Sequence, residues 1–150
     1  MKTLLTLAVA FLSIPAVAQE NLILRVSATS VKTTDICSNC SPGNAHESYW
    51  TVYRAKVRET LQGAPREKEV TFAYAQHAQY IRSVLKDFVV VLQPAPDWLH
   101  EKTAVEYVVV ALDFPKTAVC FDPEYIQPQG EGDQGSNWVS NGRCLFRKWP

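Results

Sequence analysis

The sequence has 150 residues, 15 Lys and Arg against 15 Asp and Glu, and 47% hydrophobic residues. This length leaves room for one domain rather than two, and this hydrophobic content excludes general disorder. The balanced charge excludes a general nucleic-acid binder, because neutralising phosphates requires an excess of cations. We therefore expect one folded domain that binds no nucleic acid.

The chain begins with the three parts of a secretory signal peptide. Lys2 supplies the positive start, Leu4–Leu12 is apolar apart from one Thr, and Ala16–Ala18 places small residues before a cleavage site. The apolar run is too short to cross about 30 Å of hydrocarbon. The sequence thus predicts a cleaved signal over residues 1–18, a single β-rich domain over 19–150, and a secreted or periplasmic location without a transmembrane segment.

Two strand patterns follow the signal. Leu22–Thr29 and Tyr49–Leu61 alternate with period two, which is typical of half-buried strands. The segment between them, Thr33–Asn44, is rich in turn-forming residues and is expected to be a loop. A third strand begins near Lys68, and its one face carries Val70, Phe72 and Tyr74.

The periodicity changes after the third strand. Apolar residues recur at helical spacing through Ala75–Lys86, which predicts a short helix or turn. Phe88–Gln93 and Thr103–Phe114 are apolar enough to be strands, and the Pro-rich Pro94–Asp97 is expected to be a break between them. These elements make five strands with a helix between the third and fourth.

The last part of the chain has shorter patterns. Ala118–Phe121 is a short candidate strand, Gln127–Gly135 is a glycine-rich loop, and Trp138–Trp149 returns to apolar positions. The predicted fold is mainly β: a small five-stranded OB-like Greek-key barrel with one short helix and a disulfide-tied C-terminal tail. A β-sandwich of seven shorter strands is the alternative.

Four cysteines follow the signal, namely Cys37, Cys40, Cys120 and Cys144. An even number in an oxidising location implies two structural disulfides, with three possible pairings. We expect Cys37 or Cys40 to tie the N-terminal loop to the C-terminal region. A local Cys37–Cys40 bridge with a Cys120–Cys144 bridge is the competing arrangement.

The Cys-x-x-Cys spacing has two other interpretations. A thiol-redox motif needs its first Cys at a helix N-terminus, whereas turn-forming residues 41–44 follow Cys40. A zinc site would have to recruit His46, His77 or His100, and the second cysteine pair lacks a tight spacing. We predict neither a metal nor another cofactor.

The segment Val52–Gly63 resembles the netrin-like modules, the OB-type family that includes tissue inhibitors of metalloproteinases. The resemblance covers roughly residues 37–112 and includes Cys37-x-x-Cys40, Ala55-Lys-Val57, Val70-Thr-Phe72 and Phe88–Val91. In the metalloproteinase inhibitors the first cysteine is the mature N-terminus and chelates zinc, whereas Cys37 lies well beyond the predicted start at Gln19. The resemblance therefore implies a secreted binding module rather than a metalloproteinase inhibitor.

Catalytic motifs are missing from the sequence: it contains no G-x-S-x-G, no H-E-x-x-H and no glycine-rich phosphate loop.

The candidate binding residues Trp50, Arg54, Lys56 and Arg58 share one strand face, where cations and an aromatic ring suit an anionic partner. Pairing of these cations with Glu67 or Glu69 across the hairpin is the structural alternative. His77, near Tyr74 and Tyr80, is a further candidate at a barrel mouth or an ordinary structural histidine.

These observations predict a non-enzymatic secreted or periplasmic module that recognises a protein or polysaccharide partner. The alternatives are an envelope enzyme, either hydrolytic or thiol-redox through Cys37 and Cys40, and a periplasmic inhibitor of a hydrolase. No catalytic residue and no metal ligand is assigned.

Overall fold

The computed structural model describes residues 21–43, 46–114, 118–127, 138–140 and 143–147. The predicted signal peptide and all but the first residue of the predicted loop Gln127–Gly135 lie outside these ranges. No helix in the described ranges is long and apolar enough to cross a membrane. The elements in chain order are β1 (Leu22–Cys37), β2 (Tyr49–Gln62), β3 (Glu69–Gln76), a single 3-10 turn (Val84–Lys86), β4 (Phe88–Pro94), α1 (Asp97–Thr103), β5 (Tyr107–Asp113), β6 (Ala118–Cys120), β7 (Trp138–Ser140) and β8 (Cys144–Arg147).

The first five strands close into a barrel in the order β1-β2-β3-β5-β4. Neighbouring strands are antiparallel except β3 and β5, which run parallel where Phe72 lies opposite Tyr107. This order is that of a five-stranded Greek-key barrel of the OB type. The predicted barrel is confirmed, and the sandwich alternative is wrong.

Strand β4 shows why its sequence is an unbroken apolar run. Phe88, Val90 and Leu92 point into the barrel, where they join the main core. Val89 and Val91 point outward, yet they are fully buried in a second apolar cluster with side chains of the C-terminal segment. A strand covered on both faces has no solvent side on which polar residues would be favoured, so the alternation disappears.

The C-terminal segment forms a second, three-stranded sheet in the order β6-β8-β7. Val119 and Leu145 of this sheet are buried against the outer face of the barrel, in the same cluster as Ile23. The Cys120–Cys144 disulfide joins β6 to β8 at directly opposed positions, with an S–S distance of 2.01 Å. The predicted disulfide-tied tail is therefore confirmed.

The expected bridge between the N-terminal loop and the C-terminal region is wrong. Cys37 is bonded to Cys40, and Cys120 to Cys144. The reason is the length of β1, which continues to Cys37 through residues predicted to be a loop. At about 3.3 Å per residue, Cys37 lies roughly 46 Å along the strand from Ile23, where the C-terminal sheet packs.

The one short helix is present, but it lies between β4 and β5 rather than between β3 and β4. The predicted helix over Ala75–Lys86 is mostly irregular, with one 3-10 turn, and Ile81 is 69% exposed instead of packing in a helical stripe. Tyr80 explains this, because its ring packs between Tyr74 and Phe114 at the barrel end. A segment of this length is marginal as a helix in water, so these barrel contacts decide its conformation.

Four register shifts bend the long β1–β2 pairing so that it fits the barrel: three single-residue bulges, and a wider irregularity between Thr33 and Cys37. Thr29 of β1, and Arg58 and Leu61 of β2, are the extra residues where the register shifts. The bulge at Arg58 reverses which residues of β2 point into the barrel. Glu59 would otherwise share the inward face of Tyr53 and Ala55, but it points outward and lies opposite Arg25. The predicted uninterrupted alternation over Tyr49–Leu61 is therefore wrong beyond Val57.

Candidate binding face

Helix α1 lies on the outer face of the barrel at strands β2, β3 and β5. Its Leu99 is fully buried in a cluster with Ala73 and Val105, and Trp50 and Val52 pack around this cluster. Asp97 complements the helix dipole in the first turn, and Ala104 ends the helix in the left-handed conformation, with φ of 57°. The helix thus becomes part of the β2–β3 face, which in OB folds is the usual ligand-binding face.

Two tryptophans meet at the edge of this helix. The rings of Trp50 and Trp98 contact edge to face, with centroids 6.1 Å apart, and Trp98 is 46% exposed. The Nζ of Lys102 lies 6.0 Å from the centre of the Trp98 ring, at the outer limit of a cation–π contact. The indole N–H of Trp50 is buried and has no acceptor among the described residues. The helix edge therefore presents aromatic surface and a cation close together.

Two cations extend this surface along β2. Arg54 and Lys56 are exposed on the same face as Trp50, and Arg54 lies about 13 Å from it at 3.3 Å per residue. Glu69 lies directly opposite Lys56, but no ion pair of 4.0 Å or less joins them; its carboxylate instead accepts a 3.4 Å hydrogen bond from Thr29. Among the described residues, neither Arg54 nor Lys56 has a carboxylate within ion-pair distance.

We call the surface formed by Trp50, Arg54, Lys56, Trp98 and Lys102 the binding face. Arg58 is exposed as predicted, and it occupies the bulge after which the alternation of β2 reverses. The binding face thus combines three of the four predicted strand residues, which lie before the bulge, with two residues from α1.

His77 lies at the mouth of the barrel rather than on the binding face. It is exposed on the wall of a cavity of about 190 Å³, which is also lined by Thr51 and Gln76. Beneath this mouth the hydroxyl of Tyr53 donates a 2.9 Å hydrogen bond to Oε1 of Gln76, and Nε2 of Gln76 is buried without a described partner. Burial raises the pKa of Tyr53. The Tyr80 ring lies farther along the same end, stacked on Tyr74.

Of the remaining histidines, His46 accepts a 3.2 Å hydrogen bond at its backbone carbonyl from Asn39, between Cys37 and Cys40. Nδ1 of His100 lies 2.7 Å from the carbonyl oxygen of Val105, at the end of α1. Within the described ranges no three His, Cys, Asp or Glu side chains come close enough to hold a metal ion. Cys37 is the last residue of β1, so a helix N-terminus, which lowers a thiol pKa in redox motifs, is not next to it.

Trp98 and Lys102 were missed by the sequence analysis because Pro94–Asp97 was interpreted as a break. Proline followed by an acidic residue is also a signal for the first turn of a helix, and Trp98 and Lys102 are then one turn apart on its surface.

Comparison with known proteins does not supply a family: no family model, no curated protein and no solved structure matches this chain.

Proposed function

We propose that this protein is a secreted or periplasmic binding module that recognises a protein or polysaccharide partner through the binding face, without catalysis. The observation that carries this proposal is the exposed Trp98, with Lys102 beside its ring and Arg54 and Lys56 farther along the face. Large exposed aromatic rings are costly in water and are enriched where a partner covers them.

The chemistry of the face favours an anionic partner. Aromatic rings stack on sugar rings or planar groups, and cations without nearby carboxylates attract carboxylate or sulfate groups. The balanced charge of the whole chain makes this a local attraction, which suits one partner better than polyanions in general. Acidic polysaccharides and acidic patches of proteins share this chemistry.

The proposed location and family rest on separate observations. The signal-like N-terminus supports export, and two disulfides are compatible with an oxidising compartment. The netrin-like resemblance is part of the proposal and is supported by the OB-type strand order. The resemblance suggests which class of binding module this is, and the binding face is where we propose that the partner makes contact.

A binding screen with matched variants tests the proposal. The oxidised protein is immobilised and exposed to alginate, hyaluronate and polygalacturonate, to neutral dextran, and to an envelope protein extract. The same screen is run with Trp98→Ala, with the double variant Arg54→Ser/Lys56→Ser, and with Arg66→Ser/Lys68→Ser as a control in the exposed β2–β3 turn. The three variants remove exposed side chains, so each should keep its fold.

The expected result is retention of an acidic polysaccharide or an acidic protein by the wild type and the control, and its loss from both binding-face variants. Retention that is equal in all four proteins would contradict the proposed face. Turnover of a retained polysaccharide or protein would contradict the absence of catalysis.

A further inference from the structure

One edge of β1 lacks a neighbouring strand over half its length. Strand β1 pairs with β2 from Ile23 to Cys37, but its pairing with β4 ends at Val26. From Ala28 onward, no strand in the described ranges pairs with the second edge of β1. The backbone N–H and C=O groups along such an edge are free to pair with another strand.

A groove runs along this edge. Its volume is about 510 Å³, and it separates residues 28–31 of β1 from the irregular segment that follows β3. Its floor is apolar where Ala28, Val31, Tyr80 and Leu85 line it, and Val31 remains 36% exposed. Ile81, which lies in sequence between the lining residues Tyr80 and Arg82, is 69% exposed. An unpaired strand edge beside a groove lined by both apolar and polar side chains suits the binding of an extended peptide as an added strand.

The charged residues of the groove indicate what kind of peptide fits. Arg82 and Lys86 both line it, both are exposed, and neither has a carboxylate within ion-pair distance among the described residues. Lys32, which directly follows Val31 on the same strand, is also exposed. A second copy of this chain would bring a second set of these cations to the same edge, so edge-to-edge self-association is disfavoured. An acidic strand would be attracted.

We propose that the free edge of β1 is a second binding site, which accepts an extended segment of a partner protein as an added strand. The segment carries β-branched or aromatic side chains toward Val31 and Leu85, and Asp or Glu side chains toward Arg82 and Lys86. Main-chain hydrogen bonds supply affinity, and the groove supplies specificity. The site shares no residue with the binding face, so it does not depend on the function proposed for that face.

Selection from a peptide library tests this site. A displayed library of random 12-residue peptides is panned against the full chain with both disulfides formed. Enriched peptides are then synthesised, and the amide hydrogen exchange of the protein is followed residue by residue with and without them. Binding is also measured for Arg82→Ser/Lys86→Ser, and for Arg66→Ser/Lys68→Ser as the control. Peptides with Glu replaced by Gln, or with alternate amides N-methylated, repeat the test without altering the protein.

We expect peptides that alternate apolar and acidic residues, and exchange of amides within residues 28–32 slowed about tenfold or more on binding. We expect binding weakened about tenfold by Arg82→Ser/Lys86→Ser or by the Gln peptides, no change with the control, and no binding of N-methylated peptides. Three results would each overturn the proposal: no enrichment, enriched peptides that leave exchange at residues 28–32 unchanged, or a dimer of the protein that protects these residues by itself.

Discussion

Trp50 of β2 and Trp98 of α1 contact edge to face across the boundary between the barrel and its only described α-helix. The residue after Trp98, Leu99, is fully buried on the outer face of the barrel. One helix therefore has two adjacent side chains with different roles, because Leu99 fixes the helix to the barrel and Trp98 faces solvent beside Trp50. This separation allows the stability of the helix and the chemistry of the binding face to be tested independently.

Substitutions of Leu99 and Trp98 should lower the free energy of unfolding by very different amounts. Leu99→Ala should lower the free energy of unfolding by about 2–5 kcal/mol, because it removes a fully buried side chain and leaves a cavity. Trp98→Ala should cost about 1 kcal/mol or less, because nearly half of the side chain is exposed and the main loss is one edge-to-face contact. Urea denaturation measures both, and an equal cost for the two variants would contradict the assignment of roles.

The ion pair between Arg25 and Asp87 should contribute more than an ordinary surface pair. Both carboxylate oxygens of Asp87 accept hydrogen bonds of 2.6 Å from the guanidinium, and Glu59 lies 3.8 Å away. The hydrogen bonds to Asp87 raise the pKa of Arg25 above its ordinary value, so the guanidinium keeps its charge. Asp87→Asn should reduce the free energy of unfolding by about 1 kcal/mol.

A double-mutant cycle with Arg25→Gln isolates this interaction from the other effects of each substitution. A coupling energy near zero in denaturation experiments would show that the two bonds to Asp87 contribute no net stability.

The buried phenol of Tyr53 should make the protein sensitive to alkaline pH. Burial raises the pKa of Tyr53 above 10.0 in the folded state, whereas the unfolded chain keeps the ordinary value. The unfolded state therefore loses this proton first, so the stabilising contribution is complete below pH 10 and is lost as the pH rises through the folded pKa. Tyr53→Phe should show a smaller loss of stability between pH 9 and 11 than the wild type in urea denaturation. Parallel curves for the two proteins would contradict this.

The two disulfides should differ in their contribution to stability. Cys120 and Cys144 are 24 positions apart, whereas Cys37 and Cys40 are only three apart. Because a longer closed loop restricts the unfolded chain more, Cys120→Ser/Cys144→Ser should cost about 3.5 kcal/mol and Cys37→Ser/Cys40→Ser about 2 kcal/mol. Thermal denaturation of the two double variants measures the difference. The reverse order would indicate that Cys37–Cys40 holds more of the fold than its place at the end of β1 implies.

The barrel was predictable because its strands carry local signals. Alternation in β1 and β2 and the apolar run of β4 follow from which faces are covered, and both patterns are visible in the sequence. The extension of β1 to Cys37 was not predictable, since its second half is exposed and its polar residues resemble a loop. Its conformation is fixed by pairing with β2, which is a long-range contact.

The candidate site was only partly predictable for the same reason. Trp50, Arg54 and Lys56 share a face through strand periodicity, which the sequence contains. The bulge at Arg58, beyond which the alternation reverses, depends on how β1 and β2 coil around the barrel, and Trp98 joins the face only because α1 packs back onto Ala73. Neither the bulge nor the packing of α1 onto the barrel could be predicted from the residues next to it in sequence.

The central claim is that a partner binds across the Trp98 edge of α1 and the cations of β2. The most direct measurement is calorimetric titration of the partner retained in the screen against the wild type, Trp98→Ala, Arg54→Ser/Lys56→Ser and the Arg66→Ser/Lys68→Ser control. We predict that affinity falls about tenfold or more in both binding-face variants and stays within about twofold of the wild type in the control. Unchanged affinity in Trp98→Ala and in Arg54→Ser/Lys56→Ser, with the fold intact, would contradict the claim.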